Sequence, residues 1–170
     1  MSSNPSIRRC GLLTMGGGLL WCAAFIHQWW ADPALPARWY FLAPFLFIWG
    51  LVGLYARGAS GPWATRGLVL AIVGTALVSL GLFGLGWFGD SPAALPLLPG
   101  ILALGVGMGL FGVVNLGDRS LRRWNSLPLV MVLLLTGWMM ESPRWLPLLL
   151  LLCFGVGWVL LGHELWSEER

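Results

Sequence analysis

From Gly67 to Gly89 the chain runs without one charged side chain, and from Ser91 to Gly117 it does so again. An apolar run of about 17–25 residues is long enough to cross the hydrocarbon core of a bilayer as a helix. No water reaches backbone N–H and C=O groups there, so they must be satisfied within the segment. Membrane β-strands would instead alternate apolar and polar residues over short stretches. The runs here are continuous, which predicts an all-α polytopic bundle.

Six spans follow, at residues 10–30, 39–56, 67–89, 97–116, 124–140 and 145–165, within one transmembrane domain covering 1–170. The fifth is the shortest. Charged residues make up only 10% of the chain, against about 25% in a soluble domain, and mean hydropathy is +0.79. That leaves too little polar surface for a water-soluble globule.

Arginine placement sets the orientation. Three connections share an acid followed closely by proline: Asp32-Pro33, Asp90-Ser91-Pro92 and Glu141-Ser142-Pro143. They follow the first, third and fifth spans and belong on one side. The other side holds Arg8, Arg9, Arg57, Arg66, Arg119, Arg122, Arg123 and Arg170, eight against only Arg38 and Arg144. Positive residues stay in the cytoplasm, so both termini are expected inside a bacterial-type cytoplasmic (inner) membrane. Tryptophans at span ends, such as Trp30, Trp39, Trp87, Trp124 and Trp145, fit the aromatic belts of the two interfaces. Arg8 and Arg9 before an apolar run also suit a signal peptide, but bulky residues follow Ala23-Ala24 where small ones are needed. The run reads as a retained span.

Within the spans glycine is the most informative residue. Gly67, Gly74 and Gly81 recur every seventh position, as do Gly155 and Gly162. Gly105 and Gly109 form a G-x-x-x-G that Gly112 extends. Such stripes let helix backbones approach closely. Packing within the chain is the plainer reading, and contact with a membrane protein partner or a second copy is the alternative.

Polar residues inside the spans are few: Thr14, Thr75, Ser79, Asn115 and Thr136 stand out. Intramembrane ionisable groups, which pumps and proton relays require, are missing mid-span. His27 and His163 fall near opposite faces, which disfavours a haem held by both. No phosphate-binding loop or nucleophile–base pair is recognisable, and no cofactor is expected. Cys10, Cys22 and Cys153 lack the paired spacing of a metal motif. A net charge of +3 spread over short loops makes no nucleic-acid footprint.

Two charged clusters are candidate sites. His27, Asp32, Asp90 and Glu141 all fall near the outer surface, where carboxylates and an imidazole suit a divalent cation. Solvated acids that end helices explain them as well. Arg119, Arg122 and Arg123 suit anionic lipid headgroups or an acidic partner, besides simple anchoring.

Leu35-Pro36-Ala37-Arg38-Trp39 and Leu121-Arg122-Arg123-Trp124 begin the second and fifth spans alike. Inverted three-helix halves would give such an echo, and so would two interfacial Arg-Trp anchors. With the glycine-rich helices, Arg123-Trp124 and the ending from Gly157 to Trp166 (GWVLLGHELW), the chain resembles small uncharacterised six-helix bacterial integral membrane proteins. That resemblance implies architecture and no activity. The charge-poor, glycine-striped bundle is expected to be a non-enzymatic accessory or scaffold subunit of a membrane assembly. One alternative is a small-solute transport component, similar in size and helix number to the substrate-binding subunits of energy-coupling-factor vitamin transporters. The other is a redox or quinone-handling membrane enzyme.

Overall fold

The computed structural model describes residues 5–30, 39–58, 61–88, 92, 95–118, 121, 124–137 and 145–167, without the side chains of Trp29 and Asp118. Six helices form: α1 (Pro5–Trp30), α2 (Leu42–Ala56), α3 (Pro62–Phe88), α4 (Leu97–Asp118), α5 (Leu127–Gly137) and α6 (Trp145–Ser167). No strand occurs among the described residues. Proline marks where each helix begins. Pro5, Pro44, Pro62, Pro99, Pro128 and Pro147 each lie within the first three residues of a helix. The missing N–H is not needed in the first turn, and the fixed φ suits helix initiation. Between α2 and α3 the chain reverses through Gly58 and Gly61, whose φ values of 95° and 90° disfavour any residue with a Cβ.

Four helices are long and apolar enough to cross a membrane: α1, α3, α4 and α6. The other two are shorter than the sequence predicts. The second span begins at Leu42 because Trp39–Phe41 form a turn, and α5 covers only 127–137 of the expected 124–140. Residues 138–140 lie outside the described set.

The helices form a closed ring. Each packs against the next in sequence, α6 closes on α1, and α2 also reaches α6. Neighbours run antiparallel. In the α1–α2 pair, Gly50 lies against Thr14 and Gly53 against Cys10. A half-turn perpendicular to the bundle axis reverses every helix and also reverses the order of a ring. Exchanging the first three helices with the last three would preserve that order, so inverted halves are incompatible with this ring. The shared Arg-Trp starts are then best read as two interfacial anchors.

Glycines make the two closest pairs. A Cβ on Gly67 would lie 2.8 Å from the Gly107 carbonyl oxygen, and one on Gly74 2.7 Å from that of Gly100. Gly81 abuts Leu97. Between α1 and α6, Gly11 faces Gly162 and Gly18 faces Gly155, each at 2.6 Å from Cβ position to carbonyl oxygen. Gly112 approaches Leu129 of α5 at 2.8 Å. Gly105 and Gly109 differ from the expectation: a Cβ there would meet nothing within 4 Å. The face of α4 turned to α3 carries Gly100 and Gly107. At about 100° per residue, Gly105 and Gly109 lie nearly opposite that face.

The few polar groups are absorbed locally. Thr14, Thr75, Ser79 and Thr136 each donate a hydroxyl to the carbonyl four residues back, at 2.7–3.0 Å. Asn115 donates its side-chain amide to the Asn125 carbonyl at 3.0 Å.

Candidate functional site: a cavity inside the ring

In the half of the ring nearer the α1–α2, α3–α4 and α5–α6 connections, the helices line a half-open cavity of about 370 Å³. All six helices contribute. Trp21, Phe25, Tyr40, Phe47 and Phe154 form an aromatic wall from α1, the turn before α2, α2 and α6. Leucine, isoleucine and valine from α3 and α4 line most of the rest, with Pro44, Gly86, Leu135 of α5 and Leu151 of α6. Around Trp21 the ring centroids of Phe25, Phe47 and Phe154 lie at 4.9, 5.7 and 5.7 Å. Phe47 stacks flat on Trp158 at 4.3 Å. Such contacts add to area burial and hold the rings in defined orientations.

Three polar side chains touch this wall. The Trp21 indole donates to the Leu151 carbonyl at 3.0 Å and so ties α1 to α6. Tyr40 donates its hydroxyl to the Ala24 carbonyl at 2.8 Å, which leaves its oxygen free to accept. Gln28 stands one helical turn beyond Ala24 on α1, so its amide belongs to the same end of the cavity as the Tyr40 hydroxyl. No charged side chain lines the cavity among the described residues.

At the opposite end of the bundle the interior is filled. Leu51, Leu68, Leu161, Leu165 and Trp158 are fully buried. Glu164 is buried there too, and its carboxylate acts on Arg57 at the end of α2. Burial pushes the Arg57 guanidinium below its ordinary value, while Glu164 works against that shift. Sequence reasoning did not single out Glu164, although it lies at the expected inner end of the sixth span, because its partner Arg57 is brought close only by the packing of α2 against α6. Nearby, Arg8 lies over the Trp166 ring at 5.3 Å, and Arg66 over Trp63 at 5.1 Å. These cation–π contacts suit an interface where long side chains reach for water.

The cation candidates divide. His27 is exposed near the end of α1, while Asp32, Asp90 and Glu141 lie outside the described residues. Arg119, Arg122 and Arg123 lie outside them as well. Among the described residues no three His, Cys, Asp or Glu side chains gather as a metal site. His27 and His163 fall at opposite ends of the α1–α6 pair, since Gly11 is beside Gly162. Sequence reasoning singled out none of the cavity residues as a group. Their signal is a set of aromatics at 21, 25, 40, 47 and 154 that only ring closure brings together. Compared with protein-family models, curated proteins and solved structures, the chain matches none.

Proposed function

We propose that the chain is a membrane-embedded solute-binding protein, acting as a small-solute transport component and crossing the bilayer six times with both termini on the cytoplasmic side. The observation that carries this reading is the cavity of about 370 Å³, which all six helices build and five aromatic rings line. Membrane proteins place binding sites between helices of a bundle, apolar with a few polar groups that orient the ligand. The antiparallel order of neighbours favours crossings by α2 and α5, and the arginine bias favours the orientation. The accessory-subunit reading drew on the glycine stripes. Most of those glycines are spent on contacts within the chain, so they supply little surface for a partner.

The test is native mass spectrometry of protein released from nanodiscs, comparing wild type with Ile101→Trp, which places an indole into the cavity. A small molecule bound at fixed stoichiometry to wild type and lost from Ile101→Trp is the expected result. A second protein chain at fixed stoichiometry, with no small molecule on either form, would overturn the proposal in favour of an accessory role.

A further inference from the structure

We infer that the cavity takes a neutral, planar ring compound carrying one hydrogen-bonding group, with that group at the Gln28–Tyr40 end. The inference rests on the solute-binding reading and adds the ligand's chemical class.

Size sets the first limit. An apolar cavity of about 150 Å³ accepts benzene, so the 370 Å³ here is sufficient for two fused rings with a substituent. Shape sets the second. Trp21, Phe25 and Phe154 from α1 and α6 line the cavity and already pack tilted on one another, and offset or edge-on packing against another flat ring is the favoured geometry of such side chains. A flexible chain would lose more conformational freedom on entering than a rigid ring does.

Polarity sets the third limit and the direction of binding. The Trp21 N–H is committed to the Leu151 carbonyl, so the inner wall has no spare donor there. At the open end the exposed Gln28 amide offers both a donor and an acceptor, and the half-buried Tyr40 oxygen offers an acceptor. A ligand hydroxyl, ring N–H or carbonyl is satisfied at this end and would be stranded at the other. A charged group carried into the apolar part of the cavity has no counter-charge among the described lining residues, and leaving it unpaired there is strongly unfavourable.

Three probes with one ring system separate these limits: 2-naphthol, naphthalene and 2-naphthalenesulfonate. Binding is measured by equilibrium dialysis on nanodisc-embedded protein, with protein-free nanodiscs subtracted. The expected order is 2-naphthol about fivefold or more tighter than naphthalene, a difference of one net hydrogen bond, with sulfonate binding undetectable. The double variant Gln28→Ala/Tyr40→Phe is expected to bring 2-naphthol and naphthalene to equal affinity, while Ile101→Trp abolishes both. Equal affinity of the two neutral probes for wild type, or sulfonate binding as tight as 2-naphthol, would overturn the ligand class. If Ile101→Trp still abolished binding in that case, the cavity would remain the site. Failure of wild type to bind any of the three would remove the inference and count against the solute-binding reading as well.

Discussion

Trp21 and Trp158 flank the same phenyl ring, yet their indole N–H groups have different fates. Trp21 donates to the Leu151 carbonyl at 3.0 Å. Trp158 is fully buried, and its Nε1 finds no acceptor among the described residues. A buried donor without an acceptor costs about 1–3 kcal/mol. Trp158→Phe removes that donor and also some ring volume, two effects of opposite sign. The expected net change in stability is within about 1 kcal/mol, whereas Trp158→Ala, which deletes the ring stacked on Phe47, costs about 3–5 kcal/mol. Trp21→Phe loses both a bond and packing area, and its expected cost is about 1–3 kcal/mol. Unfolding titrations in mixed micelles measure all three. A Trp158→Phe variant as damaged as Trp158→Ala would mean that the indole N–H is bonded after all.

The elements are held by where glycine falls on each helix, and two substitutions on neighbouring helices separate packing from composition. A Cβ at Gly74 would run into the α4 backbone at Leu104 and Gly100. Gly74→Ala should therefore force α3 and α4 apart, at about 1–3 kcal/mol for overpacking. Gly105→Ala meets nothing within 4 Å, and should be neutral or stabilising by up to about 1 kcal/mol through helix propensity. Thermal unfolding of the two variants in one detergent gives the comparison, and equal losses would contradict the assigned faces. The same pair shows how far the sequence reaches. The seven-residue recurrence of Gly67, Gly74 and Gly81 was legible, because periodicity is a property of one helix. Its partners Gly100 and Gly107 were not, because the eye-catching G-x-x-x-G at Gly105 and Gly109 lies on the other side of α4. The matching stripe of Gly11 and Gly18 on α1 was hidden among Gly16 and Gly17. Which glycine matters is decided by the neighbour, and the neighbour is set by chain closure.

At the scale of the whole molecule, apolar run length gives the helices and their order, and the ring gives what run length cannot: a shared interior with an aromatic cavity at one end. The question left to topology concerns α2 and α5. At 1.5 Å per residue their 15 and 11 residues extend only about 22 and 16 Å, against about 30 Å of hydrocarbon. The position of the termini cannot decide whether they cross, since four spans and six spans both bring the chain back to its starting side. The α2–α3 and α4–α5 connections can decide it. Cys10 lies beside Gly53 near the end of α2, so the α2–α3 connection belongs at the same end of the bundle as the start of α1. Asn115, near the end of α4, bonds to Asn125 just before α5 and marks the other connection. With Cys10, Cys22 and Cys153 replaced by serine, single cysteines at Ala59→Cys and Ser120→Cys are treated with a membrane-impermeant maleimide. Both are expected to be protected in intact cells and labelled after permeabilisation. Labelling at residue 59 in intact cells would overturn the proposed orientation, and because the end of α2 lies beside the start of α1, it would place both at the outer face.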